Sequence, residues 1–302
     1  MRAVFIRTTS ELLDTHPRTA VVLADISAEP FVPAAVAHPD RVVNVGIREQ
    51  LMLSVAGGLA LTGLRPYVHS YAPFLVDRAY EQIKLDLDHQ GVGAVLVSVG
   101  GSYDASAEGR THQSPGDVAL IDSLTGRWTV HAPGHPDEVP PMLRDAAGHD
   151  DPVYVRLSSR GNAVAHPGAG TLRVLRRGGA ATVVAVGPML DPVLAATAGL
   201  DVTVAYTHTP RPFDGAGLRA VAGEAMVLVE PYLAGTSARV VAEALSDRPH
   251  RLLSLGVTRT DVRRYGTPGD HDRWHGLDPA ALRRRITAHL DTRPVIGAPA
   301  PA

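Results

Sequence analysis

The sequence predicts an α/β fold of two tandem domains, each with a mainly parallel sheet flanked by helices. Short β-branched runs alternate with stretches whose apolar residues recur at helical spacing, and strands separated by helices imply a parallel sheet with helices on both faces. The alternation stops in a Gly-, Pro- and Ala-rich stretch at 160–172, which has the composition of a linker, and then resumes. The chain therefore divides into two similar blocks.

The first block contains five strand candidates, each a short apolar run rich in β-branched residues. They lie at 19–25, 65–71, 93–99, 128–133 and 153–158. The stretches around them have apolar positions at helical spacing or a suitable first turn, which predicts helices. These helices are SELLDTH before the first strand, the helix after Gly46, and the stretches 77–90, 114–124 and 135–147.

The second block repeats the pattern. Its strand candidates lie at 181–187, 201–207, 224–230 and 251–257, and its helices near 191–199, 214–222, 235–246 and 278–290. We therefore predict a first domain at 1–162, a linker at 163–174, a second domain at 175–292 and a flexible tail at 293–302.

Composition excludes several classes of function. The net charge is −2, so no basic field is available to hold nucleic acid or an anionic membrane. The absence of cysteine excludes disulfides, thiolate metal sites and a cysteine nucleophile. The start of the chain meets charged residues too early for a secretory signal, and no apolar run approaches ~18 residues, so we expect a cytoplasmic protein.

Glu49 begins a helix that is otherwise rich in small and apolar residues and that ends at Gly63. An acid in a first helical turn is stabilised by the helix dipole, and on position alone this interpretation is favoured. Leu51, Val55 and Leu59 form one apolar stripe of the helix, beside several glycines and alanines. So many small residues suggest a closely packed helix at a subunit interface.

Three further stretches, in order, carry a family resemblance. DRVVNVGIREQ, SYAPFLVDRAYEQIKLD and EGRTHQS resemble the pyrimidine-binding domain of transketolases, especially the C-terminal half of split bacterial forms. In the second block, GGAATVVAVGPM, RPFDGAGL, AMVLVEPYLAGTSARVVAEAL and GLDPAALRRRI resemble the transketolase C-terminal domain. The resemblance covers roughly residues 5 to 290 and implies ketol transfer with thiamine diphosphate.

The resemblance implies roles for four residues. Glu49 would bond to the N1′ atom of thiamine diphosphate and favour the imino tautomer, which removes the thiazolium proton. Tyr71 and Phe74 match the aromatic residues that pack on the aminopyrimidine, although a strand-end aromatic such as Tyr71 also suits a core. His112 matches the histidine that contacts substrate hydroxyls and moves protons, against the alternative of a histidine that only lines a loop.

Other positions match the family less directly. Glu108 stands where transketolases usually have an Asp that contacts a sugar hydroxyl, and Arg160 and Arg7 match arginines that bind the sugar phosphate. Arg78 resembles an arginine of deoxyxylulose phosphate synthases, but an arginine paired with Glu81 on a helix surface would have the same sequence pattern.

One departure concerns the substrate. Many transketolases carry a phosphate-binding histidine twelve residues before His112, where this chain has Gly100. We therefore expect one phosphate contact to be missing and a non-standard donor or acceptor.

The sequence lacks the other half of a thiamine diphosphate site. Such enzymes bind the diphosphate through Mg²⁺ with a GDG segment and a later Asn, but the asparagines here are Asn44 and Asn162, and neither GD pair starts such a segment. We expect no metal ligands in this chain and an N-terminal transketolase subunit that supplies them, in an α2β2 heterotetramer. The paired histidines of HAPGHPDE and HDRWH lack the carboxylates of a metal site.

Two rival functions remain open. One is a subunit of a deoxyxylulose-phosphate-synthase-like enzyme or of a 2-oxoacid-decarboxylating ligase, because these share the pyrimidine domain. The other is a noncatalytic scaffold or regulatory subunit. Retention of Glu49, Phe74 and His112 argues against the scaffold, whereas Gly100 keeps it possible.

Overall fold

The structure is a computed structural model that describes residues 1–168 and 170–292. The predicted tail at 293–302 lies outside the described residues. Two sheets organise the fold, as predicted, and helices flank both of them. No helix in the described ranges is both long and apolar enough to cross a membrane.

The first sheet is parallel throughout and has the strand order β2-β1-β3-β4-β6-β5. Its strands are β1 (Thr19–Leu23), β2 (Val42–Asn44), β3 (Arg65–Tyr71), β4 (Val95–Val99), β5 (Thr129–His131) and β6 (Val153–Arg156). Since β1, β3, β4 and β6 are buried along most of their length, they form the centre of the first domain.

The second sheet has the order β11-β10-β8-β9-β7 and is parallel except at one edge, where β7 runs antiparallel to β9. Its strands are β7 (Arg173–Arg176), β8 (Ala181–Val186), β9 (Val202–Thr207), β10 (Ala225–Leu233) and β11 (Arg251–Val257). Strand β7 was not predicted, because it is short and carries two arginines.

Helices lie before, between and after the strands. They are α1 (Arg2–Thr15), α2 (Val32–Ala37), α3 (Glu49–Leu61), α4 (Tyr80–Gln82), α5 (Asp117–Asp122), α6 (Val139–Ala147), α7 (Leu190–Ala196), α8 (Gly215–Val221), α9 (Ala238–Ala244), α10 (Pro268–His275) and α11 (Pro279–Asp291). The helix predicted at 77–90 is not one regular α-helix, since π-helical turns at Pro73–Asp77 and Ile83–His89 flank α4.

Helix α3 packs on the first sheet along one face. Its buried face consists of Glu49, Met52, Leu53, Ala56 and Gly57. Of the predicted stripe, Leu51 is exposed, whereas Val55 and Leu59 are half-buried against the core. A Cβ on Gly57 would lie 2.6 Å from the carbonyl oxygen of Asp86, so the small residue allows close packing within this chain.

The outer side of α3 is open. Apart from the neighbouring backbone of α3 itself, no atom of the described residues lies within 4 Å of the position that a Cβ would take on Gly58. Apolar side chains remain exposed beside it, at Ile47 (72%), Leu51 (44%), Leu61 (60%) and Leu85 (43%). These four residues define what we call the apolar outer face of α3, and exposed apolar side chains in one region are typical of an interaction site.

The two domains share a hydrophobic core. One cluster joins Val22, Val68 and Leu96 of the first sheet to Val184 and Leu228 of the second. Because the carboxyl ends of parallel strands meet at one edge of a sheet, the loops after β3, β4 and β6 lie together at that edge of the first domain.

Candidate active site

Glu49 is a buried carboxylate at the start of α3, only 1% exposed. Arg78, in the π-helical segment after β3, donates from Nη1 to its Oε2 atom over 2.7 Å. Among the described residues, no hydrogen bond is formed to Oε1. The carboxylate therefore keeps one oxygen for a second partner while the first holds it in place.

The alternative partner for Arg78, Glu81, is taken by another cation. Lys84 lies 2.7 Å from the Glu81 carboxylate. The Arg78 guanidinium instead lies 4.2 Å from the centroid of the Phe74 ring, in a cation–π contact. Arg78 is partly exposed, and it connects two predicted site residues, Glu49 and Phe74, instead of pairing with Glu81.

Tyr71, Phe74 and His112 form one aromatic cluster. The His112 ring lies 4.9 Å from Phe74 and 5.5 Å from Tyr71 between centroids, and Tyr71 and Phe74 are 6.0 Å apart. All three pairs meet edge to face, which is a favoured aromatic geometry. The structure therefore brings together residues that lie forty positions apart in the chain.

Gly100, directly after β4, is fitted to Tyr71. Its φ is +69°, and a Cβ there would lie 2.5 Å from the Cδ1 atom of the Tyr71 ring. Both the backbone conformation and the space exclude a side chain unless the ring moves. A histidine at position 100, as in many transketolases, would therefore not fit beside Tyr71 in its present position.

A cavity of about 460 Å³ opens beside this cluster. Tyr71, Gly100 and the exposed Glu108 line one side of it, and Ser158 and Ser159 follow β6 on the other. Met1 and Arg2 of the first domain and Gly266, Thr267 and Pro268 of the second complete the lining. The walls present hydroxyls, carboxylates and one guanidinium, which suit a polar ligand with several hydroxyls.

The predicted phosphate ligands Arg7 and Arg160 do not line the cavity, whereas Arg2, which was not predicted, does. Both Arg2 and Arg7 are exposed on α1, but Arg2 lines the cavity and Arg7, five residues further along the helix, does not. The sequence offered no signal for Arg2, because its position beside the cavity depends on how α1 packs.

Arg160 is engaged by two carboxylates. Its Nη1 donates to Asp272 Oδ1 over 2.7 Å, and its Nε lies 3.4 Å from Asp104 Oδ1. Burial would lower the pKa of Arg160, but the charges of Asp104 and Asp272 raise it above its usual value. The neighbouring Ser158 and Ser159 line the cavity, so the Arg160 pairs support the cavity wall.

A buried network holds the loop at 100–112. Asp117 Oδ2 accepts from Arg156 Nε and from the Tyr154 hydroxyl, each over 2.7 Å. Arg156 Nη2 donates to Ser102 Oγ over 2.6 Å, and Ser102 donates to the Pro231 carbonyl over 2.5 Å. This loop, which carries Glu108 and His112, is therefore bonded both to the first sheet and to the second domain.

Tyr103 attaches the same loop to α10. Its hydroxyl donates to Asp272 over 2.6 Å, and its ring stacks on His271 and His275 at 5.0 and 5.4 Å between centroids. The HDRWH histidines thus pack on an aromatic ring. In the part of the chain that the structure describes, no three His, Asp or Glu side chains gather in a way that could hold a metal ion.

A family comparison identifies the chain. The family described as "Transketolase, pyrimidine binding domain" matches residues 1–163. The chain belongs to the transketolase family. Membership of this family implies dependence on thiamine diphosphate.

Individual relatives of this transketolase-family chain cover most of its length. A protein of Rhodococcoides fascians described as "Uncharacterized 33.6 kDa protein in fasciation locus" is 53% identical over 296 residues, 96% of this chain and 95% of the relative. A subunit of the apulose-4-phosphate transketolase of Actinobacillus succinogenes is 29% identical over 295 residues, 92% and 93% of the two chains. The 1-deoxy-D-xylulose-5-phosphate synthase of Alkalilimnicola ehrlichii is 32% identical, covering 96% of this chain but 48% of the synthase.

A solved structure described as "Split gene transketolase, inactive beta4 tetramer" has the same fold. It superposes with a TM-score of 0.82 at 26% identity, and the match covers 96% of this transketolase-family chain and 97% of that one. The chain and this relative therefore have nearly the same length and architecture.

The site residues fit the aminopyrimidine end of thiamine diphosphate. Tyr71 and Phe74 offer aromatic surface to a planar ring, and Glu49 offers a buried carboxylate oxygen to a ring nitrogen. The fit rests on these side chains at one edge of the sheet.

Proposed function

We propose that this chain is the C-terminal subunit of a split, thiamine-diphosphate-dependent transketolase. It would transfer a two-carbon ketol unit from a ketose phosphate, or a related ketose, to an aldehyde. The observation that carries the proposal is the assembly of Glu49, Tyr71, Phe74 and His112 at one edge of the sheet, beside a polar cavity. Subunit-sized relatives support the split form, since the match spans 93% of a protein that is itself named as one subunit of a transketolase.

The protein's part in the reaction follows from the side chains. When bound, thiamine diphosphate supplies the nucleophilic carbon and the electron sink. Glu49 would hydrogen bond to the pyrimidine ring, with Arg78 holding the carboxylate in position. Tyr71 and Phe74 would pack on that ring and exclude water.

His112 and Glu108 would act on the sugar. The Thr111 hydroxyl lies 3.0 Å from Nδ1 of His112, which leaves Nε2 to orient a substrate hydroxyl or move its proton. Glu108 would accept a hydrogen bond from another hydroxyl in the cavity. We assign the phosphate to Arg2, since Arg160 is already paired with carboxylates and Arg7 lies outside the cavity lining.

We further propose a partner chain that binds Mg²⁺ and the diphosphate. It would be an N-terminal transketolase subunit with a GDG segment and a later Asn, joined to this chain in an α2β2 heterotetramer. The apolar outer face of α3 supports this placement, because it directly adjoins Glu49 and remains exposed at Ile47 and Leu61. Active sites would then form where the two chains meet.

Reconstitution tests the proposal. The chain alone, with thiamine diphosphate and Mg²⁺, is expected to be inactive, and addition of the GDG-containing partner should give ketol transfer from a ketose phosphate. In the complex, Glu49→Gln should slow exchange of the cofactor C2 proton by at least ~100-fold, measured by proton NMR. Glu81→Gln, which alters an exposed acid of the same kind, is the control and should leave exchange unchanged.

Three results would contradict parts of this proposal. Robust activity of the lone chain would refute the split subunit. Unchanged proton exchange in Glu49→Gln would refute the role of Glu49. Failure to complement any GDG-containing partner would favour a noncatalytic scaffold.

A second candidate is a deoxyxylulose-phosphate-synthase-like or 2-oxoacid-decarboxylating subunit. It is favoured by the 32% identity to a synthase and by the position of Arg78, which resembles an arginine of those synthases and here pairs with Glu49. Pyruvate and xylulose 5-phosphate, offered as alternative donors to the same complex, distinguish the two functions. Turnover of pyruvate alone would favour the synthase.

A further inference from the structure

A chain of hydrogen bonds runs from the interior of the first sheet to the cavity. His69, on β3, is fully buried, and its Nδ1 lies 2.7 Å from the carbonyl oxygen of Val97 on β4. Its Nε2 lies 2.9 Å from Ser27 Oγ. Ser27 in turn accepts a hydrogen bond of 2.9 Å from Nε of Arg2, which lines the cavity.

Each group in this series of hydrogen bonds can act in only one way, as donor or as acceptor. A carbonyl oxygen only accepts, so Nδ1 of His69 carries the proton. Burial lowers the pKa of His69 to about 4, so the ring is neutral at pH 7 and Nε2 is an acceptor. The Ser27 hydroxyl must therefore donate to Nε2, which leaves its lone pairs to accept from Arg2.

The backbone of Arg2 is held as well. Phe5, one helical turn further along α1, is fully buried and lies 4.6 Å from the His69 ring between centroids. Ser27 itself adopts a φ of 64°, a conformation that non-glycine residues seldom adopt. His69 thus supports Arg2 indirectly by two routes, through Phe5 to the backbone of α1 and through Ser27 to the guanidinium.

The terminal nitrogens of Arg2 have no such partner. Among the described residues, no hydrogen bond is made by Nη1 or Nη2, and the same cavity is lined by the hydroxyls of Ser158 and Thr267 and by the exposed Glu108. A guanidinium held at Nε presents its other two nitrogens as a fork, which matches the oxygens of a phosphate.

We propose that Ser27 and His69 are positioning residues that hold Arg2 ready for an anionic substituent of the substrate, such as a sugar phosphate. This inference rests on the anion-binding role proposed above for Arg2. A long arginine side chain that is already ordered loses less conformational freedom on binding, which is worth roughly two- to tenfold in affinity. Ser27 and His69 contribute this factor without touching the anion.

Inorganic phosphate, titrated into the full chain, tests the proposal by NMR of the arginine Nε–H groups. Arg2→Ala is expected to lose phosphate binding, and Ser27→Ala to weaken it by about two- to tenfold. His69→Asn preserves a donor to Val97 but has no group at the Nε2 position, so it should weaken binding to the same extent. Ser27→Ala added to Arg2→Ala should have no further effect, since Ser27 acts only through Arg2.

Ser70→Ala is the matched control. Ser70 is adjacent to His69, is fully buried like it, and its hydroxyl has no hydrogen-bond partner within the described ranges. Its loss should leave phosphate affinity unchanged. An equal weakening in Ser70→Ala, wild-type affinity in Ser27→Ala, or no phosphate binding by the wild-type chain would each overturn the proposal.

The test separates this inference from the proposed function. Phosphate binding that depends on Arg2, Ser27 and His69, in a chain that supports no ketol transfer with any partner, would support the inference and refute the function. An active two-subunit enzyme whose KM for a phosphorylated donor is unchanged in Ser27→Ala would refute the inference alone.

Discussion

Gly100→Ala should lower the free energy of unfolding through two separate effects, backbone strain and overpacking against Tyr71. The positive φ of +69° costs an alanine ~1 kcal/mol. The new Cβ would also lie 2.5 Å from the Tyr71 ring, whereas carbon atoms pack at ~3.5 Å or more, so the ring must move by about 1 Å. Overpacking of this kind costs ~1–3 kcal/mol, which gives a total of ~2–4 kcal/mol.

Gly199→Ala isolates the first cost. Gly199 has a similar φ of +74° and no described atom within 4 Å of the Cβ position, so its substitution should cost only ~1 kcal/mol. Urea unfolding of the two variants measures the difference. In the two-subunit enzyme, Gly100→Ala should also weaken binding of thiamine diphosphate, because the displaced Tyr71 ring disturbs its contacts with Phe74 and His112. Equal losses of stability in both variants would refute the fitted contact between Gly100 and Tyr71.

Three further predictions concern stability. Burial raises the pKa of Glu230 from 4.5 to about 7, so between these pH values the folded state binds more protons than the unfolded state. The free energy of unfolding should therefore fall by ~3 kcal/mol as the pH rises from 4.5 to 7. Glu230→Gln should abolish this dependence in urea unfolding measured across that pH range. Arg78→Met should lower the free energy of unfolding by ~1–2 kcal/mol, because buried Glu49 loses its charged partner, and Arg78→Lys should restore part of it in the same assay. Asp117→Asn should cost ~3–5 kcal/mol in calorimetry, because it removes the carboxylate that pairs with the buried Arg156, and a loss below ~1 kcal/mol would contradict the network.

Periodicity and local chemistry were enough to predict most of the fold. The nine predicted strands are present, because most are short runs rich in apolar and β-branched residues that a parallel sheet buries on both faces. Glu49 was placed correctly at the start of its helix, and Tyr71 lies at the end of its strand. These features depend on residues that are close in sequence, so a pattern of a few positions determines them.

Contacts between distant segments were not predictable in the same way. The partner of Arg78 is Glu49, twenty-nine positions away, and not the nearby Glu81. Arg160 pairs with Asp272, 112 positions away, which no local pattern reveals. The direction that each residue of the Leu51 stripe faces could not be predicted, because an apolar stripe has the same spacing whether it faces the core or a partner.

The contacts of Tyr103 and Arg160 with Asp272 constrain how such proteins recombine. The predicted linker at 163–174 is where two related genes would be expected to recombine without disrupting a domain, and the family match ends at residue 163. A crossover there would nevertheless separate Tyr103 and Arg160 from the carboxylate that receives both of their hydrogen bonds. In chimeras of related chains, the loop at 100–112 should therefore keep its conformation only when Tyr103, Arg160 and Asp272 come from the same parent. The segment that must be exchanged as a whole is larger than the first domain.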